Sequence, residues 1–333
     1  MRITKEAIEK AAERIDSYIH HTPVMTNKSI NEMFGINFYF KCENFQKIGA
    51  FKIRGGMNAS LSLDAAQLKN GVATHSSGNH AQALAYAAKM LGIKAYIVMP
   101  KSSPQVKVDA VRGYGAEVII CEANQLARET ALNEVVERTG AEFIHPYDDD
   151  AVIAGQGTIG LEMLADNPEL DLLLVPIGGG GLIAGIATAV KALRPEIKII
   201  GVQTEAFPHM AAAVRGQKVQ GATRTIAEGI AVKTPGVKTL EIIKDKVDDI
   251  VLVSEHDIEH AIVLLLEIEK TVVEGAGAAG LAALLHAQAA DDFRFEGKRI
   301  GIVLCGGNID PLMLGGLIER GMVRAGRPVS PLP

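Results

Sequence analysis

Two hydrophobic rhythms alternate along the chain. Near the N-terminus, Ala7, Ile8, Ala11, Ala12, Ile15, Tyr18 and Ile19 recur at the spacing that puts apolar side chains on one face of a helix. Thr4 stands ahead of the run as an N-cap, and His20-His21-Thr22-Pro23 closes it. Residues 36–42 alternate as a strand does. From 71 to 146 the pattern is regular. Strands predicted at 71–75, 94–99, 117–121 and 142–145 alternate with helices at about 80–91, 105–113 and 126–139. A second series begins near Ala151 with a helix and the wholly apolar strand Leu172-Leu173-Leu174-Val175-Pro176-Ile177. A helix over 181–193 and a strand over 198–203 follow. Beyond a loop-rich stretch come a strand at 249–253, helices at 256–270 and 275–289, a strand at 299–304 and a short C-terminal helix.

Repeated strand–helix units with apolar strands mean parallel sheets covered on both faces. The expected fold is α/β with two domains, each an open, mostly parallel sheet with helices on both faces and the active site in the cleft between them. Residues 1–60 and 150–333 are expected to form a large discontinuous domain, and 61–149 a small one. The Pro-rich tail from Arg324 to Pro333 is expected to be poorly ordered.

Composition narrows the function classes. With 333 residues, 48% of them hydrophobic and 22% charged, the chain can bury a large core and is not intrinsically disordered. A net charge of -5 with interspersed signs gives no basic stripe for nucleic acid and no basic membrane face. Trp is absent and aromatics make up 5%, which argues against a base-stacking or sugar-stacking surface. Cys42, Cys121 and Cys305 form no CxxC and cannot all pair, so free thiols in a reducing cytoplasm are expected. Met1 to Glu6 lack an apolar signal region, and no apolar run is long enough to span a bilayer.

Candidate chemistry falls at strand ends, where ligands of open α/β sheets bind. Lys52 lies between Phe51 and Ile53 at the start of a predicted helix. A lysine kept dry there becomes a nucleophilic amine, whereas a surface lysine would merely drape its stem over apolar neighbours. Gly178-Gly179-Gly180-Gly181-Leu182 follows a buried strand and opens a helix, the setting of a phosphate cradle. The same residues read as Gly179-x-Gly181-x-x-Ala184, a dinucleotide fingerprint with Glu205 as its ribose acid, which keeps a nucleotide-linked oxidoreductase open. Ser76-Ser77-Gly78-Asn79-His80 offers hydroxyls and an amide at a helix start, where one residue would suffice for capping. Cys305-Gly306-Gly307-Asn308 ends a strand. Glu274 precedes Gly275-Ala276-Gly277-Ala278, where it can act on a ligand or only complement the helix dipole. His75, His80 and His145 lack metal-ligand spacing and read as structural.

Taken together and in order, Asn44 to Gly55 around Lys52, Ser76 to His80, the tetraglycine loop and Cys305 to Asn308 resemble the pyridoxal-phosphate (PLP) enzymes of the tryptophan-synthase-β fold. The similarity is greatest to the serine/threonine dehydratase and serine racemase branch and covers almost the whole chain. The resemblance implies that Lys52 forms the Schiff base and takes the substrate's α-proton, and that Phe51 packs on the cofactor. It implies that Asn79 bonds the ring hydroxyl, Gly178 to Leu182 hold the phosphate, Glu274 lies at the cofactor, and Cys305 faces the pyridine nitrogen. Ser76, Ser77, Gly78, Asn79 and His80 would bind the substrate carboxylate, joined by Arg128. The implied reaction is β-elimination from L-threonine or L-serine to a 2-oxo acid and ammonia. A weakly acidic Cys305 would leave the ring nitrogen largely unprotonated and favour elimination over transamination.

Two branches compete within that resemblance. Thr74 to His80 is similar to serine racemases, whose second serine, here Ser77, acts opposite the lysine; hydroxyaspartate dehydratases share it. Pro146-Tyr147-Asp148-Asp149 and Val272 to Ala278 are similar to threonine dehydratases. The racemases' divalent-cation site aligns with Gln203 and His209, with Glu205 a nearby candidate ligand. A homodimer or higher homo-oligomer is implied, and no C-terminal effector domain is expected beyond Pro333.

Overall fold

The computed structural model describes residues 3–324. Apart from Arg324, the Pro-rich tail lies outside them. Among the described residues the strands are β1 Val24–Met25, β2 Asn37–Lys41, β3 Val72–His75, β4 Ala95–Pro100 and β5 Glu117–Cys121, followed by β6 Glu142–Phe143, β7 Leu172–Pro176, β8 Lys198–Thr204, β9 Asp249–Val253 and β10 Arg299–Val303. They form a six-stranded sheet in the order β1-β2-β10-β7-β8-β9 and a four-stranded sheet in the order β5-β4-β3-β6. Every pairing is parallel except β1 with β2 at one edge. Ile302 of the central β10 stands opposite Phe40 on one side and Leu174 on the other. β4 and β7 are buried throughout, as strands covered on both faces must be.

Helices pack in layers over both sheets, and the largest core cluster lies around β7, β10 and the Gly275–Ala289 helix. Caps set several of their starts. Thr4 Oγ1 accepts from Ala7 N at 3.3 Å, Asn124 Oδ1 from Ala127 N at 2.8 Å and Asp149 Oδ1 from Val152 N at 2.9 Å.

The structure departs from the sequence pattern mainly in short elements. The first helix stops at Ile15 and passes into a 3-10 turn, Asp16–Tyr18, instead of running to Ile19. The strand expected over 142–145 pairs only at Glu142–Phe143. The helix expected to reach 270 ends at Glu267, and Lys270 lies in the left-handed region at φ 58. Helices Lys28–Phe34, Ala65–Asn70, His209–Val214 and Val237–Lys246 were not expected. Each is too short, or too polar in its exposed face, to impose a strong helical period. Among the described residues no helix is long and apolar enough to cross a membrane.

Candidate active site

Lys52 is the first residue of the helix Lys52–Leu61. The chain reaches it through a tight loop in which Gly49 has φ +71, and a side chain there would run into Asn308 Oδ1 at 2.6 Å. Phe51 N donates to Cys305 O at 3.0 Å, and Ala50 bridges Gly306, so the start of this helix is tied to the end of β10. Residues 53 to 60 are all buried, which holds the helix rigidly in the core. Lys52 Nζ stands 5.2 Å from the Phe51 ring centre and donates to Pro146 O at 2.6 Å. Burial lowers its pKa to about 8 against the opposing pull of Cys305 and Glu274. A pKa of about 8 leaves the amine mostly protonated at physiological pH, but with a far larger neutral, nucleophilic fraction than an ordinary lysine has.

The glycine loop lies beyond β7 and opens the buried helix Gly181–Leu193. Gly180 has φ +97, and a Cβ there would fall 2.8 Å from Met210 Cε and Thr239 Cβ. A Cβ on Gly179 would enter the Tyr147 ring at 2.3 Å, and one on Gly181 would meet Tyr147 O at 2.8 Å. These positions admit only glycine. Thr239 Oγ1 donates to Gly179 O at 2.7 Å, and Asp148 accepts from Val237 N and Thr239 N at 3.0 and 3.1 Å, so the neighbouring helix is fastened to the loop. The first N–H groups of Gly181–Leu193 have no acceptor within the helix and present positive potential for an anion. Leu182 contributes its backbone there, while its side chain is buried in the core.

Asn79 begins the helix Asn79–Leu91 after β3. Its Nδ2 donates to Glu274 Oε1 at 2.8 Å, and its Oδ1 accepts from Asn308 Nδ2 at 2.9 Å, which joins the small sheet to the large one. Burial pushes Glu274 up to about 7, against the hydrogen bond from Asn79. Burial also pushes the Cys305 thiol well above its ordinary value, so it stays a neutral S–H. His80 is buried with Nε2 at 3.2 Å from Ile144 O, and burial with the nearby Lys52 charge drives its pKa down to about 3. A carbonyl only accepts, so Nε2 carries the proton. Nδ1 has no hydrogen-bond partner among the described residues. Ser76, Ser77 and Gly78 form the half-buried turn before Asn79, with Gly78 N donating to Ser76 Oγ at 3.3 Å.

Two candidates fall elsewhere. Arg128 lies on the helix Gln125–Thr139, where its charge acts on His75 and Cys121 at the ends of β3 and β5. Its buried Nε has no hydrogen-bond partner among the described residues. Glu205 is exposed beyond β8, and its N–H donates to Val253 O at 2.9 Å. Gln203 Oε1 already accepts from Ala211 N at 3.0 Å. Among the described residues no three His, Cys, Asp or Glu side chains gather as a metal site would require. The sequence reading missed Pro146, Tyr147, Asp148 and Thr239 as parts of the site. His145 does behave as a structural histidine: Nδ1 accepts from Asp148 N at 2.9 Å and Tyr147 N at 3.3 Å.

An amine with a lowered pKa, a glycine cradle for a dianionic group at a helix start, and a buried neutral thiol together suit a phosphorylated aldehyde cofactor. The amine suits the aldehyde, the cradle suits the phosphate, and the thiol suits an unprotonated ring nitrogen. Residues 15–306 match the family described as "Pyridoxal-phosphate dependent enzyme", and the chain belongs to that family. Its cofactor is PLP, and the dinucleotide reading of the glycine loop falls away. The chain is 46% identical to an L-threonine ammonia-lyase of Thermotoga maritima, covering 98% of this chain and 81% of that protein. It is 47% identical to a serine racemase of Arabidopsis thaliana, covering 91% and 92%. The solved maize serine racemase superposes with a TM-score of 0.91 at 41% identity, covering 98% of this chain and 100% of that one. The processed form of threonine deaminase isoform 2 from Solanum lycopersicum gives 0.88 at 32%, covering 96% and 88%.

Proposed function

We propose that this protein is a PLP-dependent ammonia-lyase that converts L-threonine or L-serine to a 2-oxo acid and ammonia. The observation that carries the reading is Lys52, a lysine amine lowered to about 8 and paired with no carboxylate among the described residues. When bound, the cofactor supplies an aldehyde for that amine and a ring that accepts an electron pair. Lys52 would anchor the cofactor through its amine and would take the substrate's α-proton at Nζ. The Gly178–Gly181 loop and Leu182 N–H orient the phosphate. Phe51 would pack against the ring. Asn79, held between Glu274 and Asn308, would bond the ring hydroxyl. Cys305, a neutral thiol, would leave the ring nitrogen largely unprotonated. Ser76 to His80 would bind the substrate carboxylate, and Arg128 lies outside that turn, with only its charge reaching His75.

The working unit is a homodimer or higher homo-oligomer in the cytoplasm. Residues 61–149, which contain β3 to β6, act as the small substrate-loop domain, and 1–60 with 150–333 as the PLP-binding one.

Serine racemisation is the second reading, favoured by one residue. Ser77 supplies a hydroxyl in the turn before Asn79, and on the likeness to serine racemases it would return a proton on the face opposite Lys52. One experiment tests both readings. The protein and its Ser77→Ala variant are incubated with L- and D-serine, L- and D-threonine and 3-hydroxyaspartate, and 2-oxo acid and enantiomer are assayed together. Wild type should release 2-oxo acid from L-threonine or L-serine, and Ser77→Ala should keep that activity while losing enantiomer exchange. No 2-oxo acid from any substrate would refute the lyase reading. Equal loss of both activities would make Ser77 structural.

A further inference from the structure

We infer that the helix Asp150–Asp166, with the segment Pro146 to Asp149 leading into it, is a spacer that sets the separation between Lys52 and the glycine cradle. In this arrangement Gly155, Gly157 and Gly160 are positioning residues for a ligand held at both ends. The inference rests on the cofactor reading above and adds to it what fixes the distance between the two anchors.

On the lysine side the spacer meets the helix Lys52–Leu61 backbone to backbone. A Cβ on Gly155 would stand 2.5 Å from Arg54 O and 2.7 Å from Gly55 Cα. Gly55 N donates to Gln156 Oε1 at 3.2 Å, and Asn58 Nδ2 to Ala151 O at 2.7 Å. On the cradle side it meets Gly181–Leu193 in the same way. A Cβ on Gly185 would stand 2.3 Å from Ile153 O and 2.6 Å from Gly157 N, and one on Gly157 would stand 2.9 Å from Gly185 O. The leading segment repeats the pattern nearer the cleft. Pro146 O accepts from Lys52 Nζ at 2.6 Å, and Tyr147 O lies 2.8 Å from where a Cβ on Gly181 would be.

One continuous stretch thus touches both anchors through main-chain atoms. Side chains in contact adjust by changing rotamer, but backbone pressed on backbone has no such freedom. The separation is then set by the stacking of three helices, and a small wedge at either crossing moves one anchor relative to the other. A ligand held at both ends gains affinity from the second anchor only while both can be engaged at once.

The test compares PLP with pyridoxal, which carries the aldehyde but no phosphate. Cofactor-free protein is titrated with each, and the visible absorbance of the lysine-bound ligand gives both affinities. In Gly157→Ala the pyridoxal affinity should stay within about twofold of wild type while PLP binding weakens at least about tenfold, so the ratio collapses. An unchanged ratio, even with a lowered melting temperature, would overturn the spacer and leave these glycines as packing alone. Should Gly157→Ala not fold, Gly160→Ala carries the test, because its Cβ would sit 3.1 Å from Ile186 O and asks only a small shift. Its ratio should fall about threefold, and no fall would overturn the proposal. Gly113→Ala, whose Cβ meets nothing within 4 Å, should match wild type. Wild-type protein that develops no absorbance with either ligand would instead overturn the cofactor reading, and the spacer with it.

Discussion

Two lysines flank the loop that leads into the active site, and the interior treats them in opposite ways. Lys41, at the end of β2, is fully buried, with Nζ 2.7 Å from Glu162 Oε2 and donating to Thr22 O at 2.8 Å. It belongs to a cluster behind the Lys52 helix. There Arg54, also fully buried, donates from Nε and Nη2 to Glu43 at 2.8 and 2.7 Å and from Nη2 to Glu162 Oε2 at 2.9 Å. Thr22 Oγ1 donates to Glu43 Oε1 at 2.6 Å. The two cations meet Glu43 and Glu162, with Asp166 Oδ2 3.7 Å from Lys41 Nζ, and most donors are spent on charge-assisted bonds. Lys52, in front of the same helix, has a neutral carbonyl as its partner, a neutral thiol nearby, and a Glu274 that burial pushes up to about 7. Desolvation therefore acts on Lys52 with little to oppose it. The difference teaches that burial alone does not make a lysine reactive. Burial without a compensating acid does.

The strongest way to break this comparison is to remove each side in turn. Lys52→Ala should abolish 2-oxo acid formation and the borohydride-bleachable absorbance after dialysis, yet leave the melting temperature unchanged or higher, since it removes a desolvated amine that has no acid partner. Visible absorbance surviving dialysis would sink the role of Lys52. Arg54→Met on the other side should leave Glu43 and Glu162 facing each other without their shared cation. The expected cost is about 3–5 kcal/mol of folding stability, read from urea unfolding. A loss below about 1 kcal/mol would mean the cluster is no more than an exposed ion pair in strength.

The same contrast explains what the sequence could and could not reveal. β4 and β7 were legible because buried parallel strands are continuous apolar runs, and the tetraglycine loop because no simple turn needs so many glycines. Lys52 was legible as an odd lysine between Phe51 and Ile53, but Lys41 and Arg54 look equally odd in a list of residues. Only the fold shows that Glu43 and Glu162 reach the latter pair and leave Lys52 without an acid. Pro146, Tyr147 and Asp148 were quoted as a family likeness, yet their work on the cradle depends on a segment far along the chain returning to lie against Gly179 and Gly181. The short helices His209–Val214 and Val237–Lys246 hid in a stretch that reads as loop. One of them, through Thr239, holds the cradle in place.

The smallest effect is the most direct reading of the comparison. Lys52 in cofactor-free protein can be acetylated with acetic anhydride at a series of pH values and the extent read by peptide mass spectrometry. Only the neutral amine reacts. Below its pKa the rate should rise about tenfold per pH unit, and it should level off near the lowered value of about 8. A lysine at its ordinary 10.5 would still be climbing there. Cys305→Asp then tests the cause, because it places a carboxylate where the thiol now stands. A negative charge favours the ammonium form, so the plateau should move to higher pH. A plateau that stays where it was would mean that an acid at this position does not govern the Lys52 amine.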